Sequence, residues 1–191
     1  MLFYRKEINM PPKSKTSKED ILNASFLIAR KKGITEVNAR SIAKQLNCST
    51  QPLFRIYQNM NELKEDLIEK IYQYYREFTE RYSDDDELFR VSYAYIEFAR
   101  KEKNLFKAVY VSDVGGTRSL SQVITSTYNQ NIIQKMVKQY QITEAKANQV
   151  FRDVRFYSHG IASYILVDSI SLSDQEVVEL LKIAIDKFKN E

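Results

Sequence analysis

Apolar residues recur every three or four positions along most of this chain, the spacing of helices that turn one face inward. Ile21, Leu22, Ser25, Phe26 and Ala29 make the first such face. It predicts a helix over about 18–32, with Ser17 as its cap, Glu19 and Asp20 in the first turn and Gly33 as its stop. Two short helices follow, over about 39–46 and 50–57. Asn38 is expected to cap the first, with Ile42, Ala43 and Leu46 inward; Ser49 is expected to cap the second, with Leu53 and Ile56 inward. Pro52 then sits in a first turn, where a missing N–H costs little. Asn47 falls in the turn between the two helices and is a residue that tolerates left-handed backbone.

Leu63, Leu67, Ile71, Tyr75, Phe78 and Tyr82 trace one continuous stripe and predict a long helix over 61–82. Further helices are expected at about 86–102, 104–111, 119–140, 144–169 and 174–189, with Thr143 and Ser173 capping the last two and a loop at Gly115-Gly116. No segment sustains a period of two. The pattern therefore predicts an all-α chain of about nine helices.

Composition supports this. Only four Gly and three Pro interrupt 191 residues, so long uninterrupted elements are expected. The net charge of +4 is unevenly spread: residues 1–65 hold 12 Lys/Arg against 6 Asp/Glu, and the rest hold 17 against 19. A basic N-terminal third suggests contact with a polyanion. Residues 1–16, with Pro11-Pro12 and Lys13-Ser14-Lys15-Thr16, suggest a flexible basic arm. Cys48 is the single cysteine, and no apolar run approaches the roughly 18 residues of a membrane span. A cytoplasmic location is expected.

Two short helices joined by Asn47-Cys48-Ser49 match the helix-turn-helix pattern. A major groove admits one α-helix, N-terminus first, and that end needs small and polar side chains. Ser49, Thr50, Gln51 and Arg55 supply them. Gln pairs with adenine; Arg pairs with guanine or a phosphate.

The landmarks from Ile21 to Leu63 extend the match. Ile21-Leu22-Asn23-Ala24-Ser25, Gly33, Ser41-Ile42-Ala43-Lys44-Gln45-Leu46-Asn47-Cys48-Ser49, Leu53-Phe54-Arg55-Ile56-Tyr57 and Leu63 resemble the N-terminal domain of TetR/AcrR regulators. The resemblance covers about residues 18–68. It implies a DNA-binding set of Asn38, Arg40, Ser49, Thr50, Gln51, Pro52, Phe54, Arg55 and Tyr57. Three departures alter the expected chemistry. Asn47 replaces a turn glycine. Phe54 replaces a tyrosine that commonly touches phosphate. No base stands in Gln58-Asn59-Met60-Asn61, where a lysine is usual. Tyr57 is expected to compensate with a phosphate hydrogen bond.

The resemblance further implies a helix-turn-helix domain over 17–62 and an effector-binding and dimerisation domain over 63–191. Two copies are expected to pair through about 144–189 and to sit on a palindromic operator, acting as a ligand-responsive repressor. Aromatic residues of the middle helices, Phe89, Tyr93, Phe106, Tyr110, Tyr128 and Tyr157, with His159, are the candidate pocket for a small apolar or aromatic effector.

His159-Gly160 resembles an element of one such C-terminal subgroup. A structural histidine at a tight helix crossing, with Gly160 permitting close approach, is the favoured reading over a pH-sensitive one. Cys48 is expected to be buried and inert. One His and one Cys supply no catalytic pair and no metal set, and no glycine-rich phosphate loop occurs. No enzyme activity, cofactor or metal is expected. The main alternative is a helical DNA-binding protein without small-molecule control. A filled C-terminal core favours that alternative and an enclosed cavity opposes it.

Overall fold

A computed structural model describes residues 16–112, 119, 122 and 125–191. Residues 1–15 of the expected arm and the Gly115-Gly116 loop lie outside the described residues. So does most of the start of the helix expected at 119–140. The described residues form nine α-helices and one 3-10 turn, with no strand among them. The helices are α1 (Lys18–Lys32), α2 (Ala39–Gln45), α3 (Gln51–Ile56), α4 (Met60–Thr79), α5 (Glu87–Lys101), α6 (Lys103–Tyr110), α7 (Thr127–Tyr140), α8 (Glu144–Leu166) and α9 (Asp174–Asn190).

Local chemistry sets most of these boundaries. Ser17 and Asp20 close a capping box on α1, and Gly33 ends that helix at φ 98°, a region open to glycine. Asn38 and Ser41 do the same for α2, and Ser173 and Glu176 for α9. Asn59, not part of the expected helix start, caps α4 by accepting from the N–H groups of Asn61 and Glu62. At α3 the expectation fails: the cap is Thr50 in helical backbone, and Ser49 makes no capping bond. Pro52 follows in the first turn.

Helix α5 is the axis of the C-terminal body. It packs against α4, α6, α7, α8 and α9, and its Leu88, Val91, Ala94, Tyr95, Ile96, Phe98 and Ala99 are all buried. Arg90, Ser92 and Glu97 are buried with them, so α5 is covered on most of its circumference, the charged Arg90 and Glu97 included. The N-terminal head is built differently. Helix α1 lies against α2, α3 and α4 and also reaches α6. There Arg30 Nε and Nη2 donate to the Glu102 carboxylate at 2.8 and 2.5 Å, and the Asn104 amide donates to the Arg30 carbonyl at 3.0 Å. Glu102 is buried and also accepts from the Tyr74 hydroxyl at 2.7 Å, so this joint between head and body has its polar groups matched. No helix of the described residues is long and apolar enough to cross a membrane.

Candidate nucleic-acid interface and effector cavity

The turn between α2 and α3 is a Schellman motif. Asn47 takes φ 50°; its N–H bonds the Lys44 carbonyl at 3.2 Å, and the Cys48 N–H bonds the Ala43 carbonyl at 3.0 Å. The left-handed turn expected at Asn47 is therefore present without the usual glycine. Cys48 is half-buried.

Beyond that turn, α3 divides cleanly. Leu53 is buried against the head core, while Ser49, Gln51, Phe54 and Arg55 are exposed and Thr50 and Pro52 are half-buried. Arg40 and Lys44 extend the exposed surface on α2. Arg40, Lys44 and Arg55 have no acidic partner among the described residues, so their charge faces solvent unneutralised. Phe54, 51% exposed, lies on the same surface. Asn38, assigned to the interface, spends its side-chain oxygen on the Ser41 N–H as the α2 cap.

Tyr57 departs from expectation. Its ring is 1% exposed, and its hydroxyl donates to Asp66 at 3.0 Å. Lys18 completes the group, 2.6 Å from Asp66 and 5.3 Å above the Tyr57 ring. Burial, then the Asp66 hydrogen bond, pushes the Tyr57 pKa up. The Lys18 hydrogen bond holds Asp66 below its ordinary value, against the opposing effect of burial. Tyr57 thus ties α3 to α4 and through Lys18 to α1. Its ring is drawn into the head core, and its hydroxyl is spent on the Asp66 carboxylate there. Glu62 adds to the departure: its carboxylate accepts the Gln58 N–H at 2.7 Å, setting an acid against the stretch where the resemblance implies a base.

A second feature lies in the body, a cavity of about 680 Å³. It is bounded by α4, α5, α6, α7 and α8. Of the residues assigned to a pocket from sequence, Tyr110, Tyr128 and His159 line it. Phe89, Tyr93, Phe106 and Tyr157 do not. Phe106 is fully buried behind the wall, with its ring stacked on His159 at 6.0 Å. Phe89 and Tyr93 stack on each other, and Lys182 of α9 sits over Phe89. Phe89, Tyr93 and Phe106 are packing residues, as most apolar rings on amphipathic helices are.

Sequence reading passed over Tyr72, Tyr75, Tyr95, Arg155 and Phe156, all of which line the cavity with Phe151. One signal for them existed: Phe151, Arg155 and His159 are spaced by four on α8, so a cation sits on an otherwise inward row. The Tyr95 hydroxyl and His159 Nδ1 share a hydrogen bond of 2.8 Å. The Tyr128 hydroxyl meets Thr79 Oγ1 at 3.0 Å. Burial, then the charge of Arg155, lowers the His159 pKa below its ordinary 6.5, so the ring is neutral near pH 7. Gly160 is exposed, and a Cβ added there would meet nothing within 4 Å. It mediates no close helix approach. The expectation of a hydrogen-bonded His159 holds, but at a cavity wall and not at a tight crossing.

A three-helix head with a helix-turn-helix, joined by a long helix to a helical body with a half-open cavity, defines an all-α class of two-part proteins. Comparison with solved structures places the chain in that class as a TetR-like fold. A transcriptional regulator from Rhodococcus sp. RHA1 superposes with a TM-score of 0.58 at 15% identity, covering 91% of this chain and 96% of its own. A TetR variant from Acinetobacter baumannii AYE, solved in complex with minocycline, gives 0.60 at 16% identity, covering 92% and 98%. A TetR-like transcriptional regulator from Rhodococcus sp. RHA1 gives 0.56 at 16%, covering 93% and 97%. No protein-family model and no curated protein matches the chain in sequence.

Proposed function

We propose that this protein is a DNA-binding transcriptional regulator that reads a palindromic operator as a homodimer and releases it when a small molecule occupies the body. The observation that carries the reading is the α2–α3 surface, where Arg40, Lys44, Gln51 and Arg55 are exposed and the three cations have no acidic partner among the described residues. Such a surface suits a phosphate backbone, with Gln51 and Arg55 on the base edges. The proposed contact set is Asn38, Arg40, Ser49, Thr50, Gln51, Pro52, Phe54 and Arg55, without Tyr57.

The dimer reading draws on an exposed apolar row. Phe156, Tyr164 and Val167 of α8 and its C-terminal end, Ile170 beyond it and Ile183 of α9 are all solvent-exposed large hydrophobics, Val167 at 65%. A row of that size on two adjacent helices suits a second copy of the same face. The cavity favours ligand control over the alternative of a regulator without it, and one similar structure holds minocycline. Neither reading calls for enzyme chemistry.

The test is a footprint on duplex DNA flanking the protein's own gene, at low salt. Arg55→Ala and Gln51→Ala are expected to weaken binding at least tenfold while the helical content and melting midpoint stay unchanged. Unaltered affinity in both variants removes α3 as the reading helix. Absence of binding to any duplex by the folded protein removes the regulator reading altogether.

A further inference from the structure

The cavity carries a chemical bias beyond its size. Three arginines line it and, among the described residues, no Asp or Glu does. Two of the three are already neutralised: Arg76 pairs with Glu69 at 2.9 Å, and Arg152 pairs with Asp153 at 2.7 Å. Arg155 has no acidic partner among the described residues. Its guanidinium carbon lies 3.7 Å from the centre of the Tyr95 ring and 5.3 Å from that of Tyr110.

This arrangement fixes the plane of the fork without satisfying its charge. Tyr95 is itself held in place by His159, and Tyr75 and Tyr110 pack edge-on around it at 6.2 and 4.9 Å. A half-buried guanidinium stacked on aromatic faces, with one side-chain hydrogen bond to Tyr75, keeps further in-plane N–H donors for a ligand. Those donors match the two oxygens of a carboxylate. The stacking recovers part of the desolvation cost of the cation, and an anion recovers the rest. Tyrosine and phenylalanine make up much of the remaining wall, with Ser112, Gln122, Ser126, Thr127 and Asn129 adding polar groups, which suits a flat apolar or aromatic body with a few polar atoms. A cation meets Arg155 with no carboxylate to balance it.

Resting on the effector-site reading above, we infer that the cavity selects a small organic anion, a carboxylate on an aromatic or apolar body, with Arg155 gripping the carboxylate. Neutral or cationic molecules of the same shape are rejected by the unpaired guanidinium. Arg155 is therefore a specificity-determining residue and not a structural one.

Three probes of one shape test this: naphthoate, its neutral amide naphthamide, and the cation naphthylmethylammonium, titrated calorimetrically against the full chain without DNA. Naphthoate is expected to bind at least tenfold more tightly than naphthamide, about 1.4 kcal/mol, with the cation weakest. Arg155→Gln is expected to erase the difference between acid and amide, and Arg155→Lys to keep part of it. Arg152→Gln, at a cation already paired, is expected to leave the difference in place. A structural role predicts a lower melting midpoint for Arg155→Gln; the present inference predicts an unchanged or higher one.

Equal or tighter binding of the amide, no binding of any probe at millimolar concentration, or a preference that survives Arg155→Gln overturns the inference. So does loss of the fold in Arg155→Gln together with loss of the preference in Arg152→Gln. Because these titrations contain no DNA, they fail independently of the regulator reading. That reading fails by the footprint, whatever the cavity binds.

Discussion

Arg55 and Arg155 are the same residue type in opposite settings. Both lack an acidic partner among the described residues. Arg55 is exposed on α3 of the head, where water solvates it and leaving it unpaired costs nothing. Arg155 is half-buried in the body, stacked on Tyr95 in a half-open cavity, where ring faces replace part of its water. A charge in water makes weak, long-ranged and easily screened interactions; a desolvated one makes strong, short-ranged and geometrically selective ones. On the proposed readings, the head meets a repeating polyanion from outside, and the body takes up a single anion in its cavity.

Ionic strength separates the two most sharply. If the head binds as proposed, a dimer touching six or more phosphates loses roughly a thousandfold in DNA affinity between about 50 and 200 mM salt. Naphthoate binding to the cavity is expected to change by no more than about threefold over the same range, because a partly buried pair is screened much less. Fluorescence anisotropy on a labelled duplex and calorimetry on the probe measure the two slopes on one preparation. Parallel slopes would mean that Arg155 is solvated like Arg55, and the contrast would collapse.

The head was legible in the sequence because its determinants are local. Ser17, Asn38, Asn47 and Gly33 act within four residues of themselves, and helix caps and turns are readable at that range. The cavity was only partly legible because it is assembled from residues as far apart as Tyr72 and His159. Periodicity says which side of a helix points inward. It does not say whether the neighbours fill that space, so Phe106 and Phe89 looked like Tyr110 and Tyr128 until the helices were packed together. The partner of Tyr57 was not legible for a related reason. The turn chemistry located Tyr57 at the end of α3, but Asp66 and Lys18, nine and thirty-nine positions away, decide where its hydroxyl goes.

That assignment of Tyr57 gives a smaller and sharper test. Tyr57→Phe removes the hydrogen bond to Asp66 and leaves the ring in place, so a loss of about 0.5–1.5 kcal/mol in unfolding free energy is expected. Operator affinity of the folded variant is expected to stay within twofold of the parent, while Arg55→Ala at the exposed site loses at least tenfold without losing stability. Urea titration and the footprint together decide it. A Tyr57→Phe variant that keeps its stability and loses DNA affinity would return the hydroxyl to the phosphate.

The smallest expected effect tests the cavity side of the comparison by pH. His159 sits with the Arg155 charge and the Tyr95 hydroxyl facing it and Phe106 stacked behind. Its folded pKa lies below the ordinary 6.5, so the unfolded chain takes up the proton first as pH falls. Stability is then full above about pH 6.5 and declines as pH drops below it, until the folded ring also protonates. The half-exposed ring keeps this loss small. His159→Gln has no proton to take, so the melting midpoints of parent and variant should differ less favourably for the parent at about pH 5.5 than at about pH 7.5. Bound naphthoate should shrink the acid loss, because its charge offsets Arg155 and lets the folded ring accept the proton more readily. No comparable pH response is expected at Arg55, which has no histidine beside it. A parent and a His159→Gln variant with parallel midpoints over that range would show that neither burial nor the Arg155 charge is felt at His159, and the desolvated half of the comparison would fail with it.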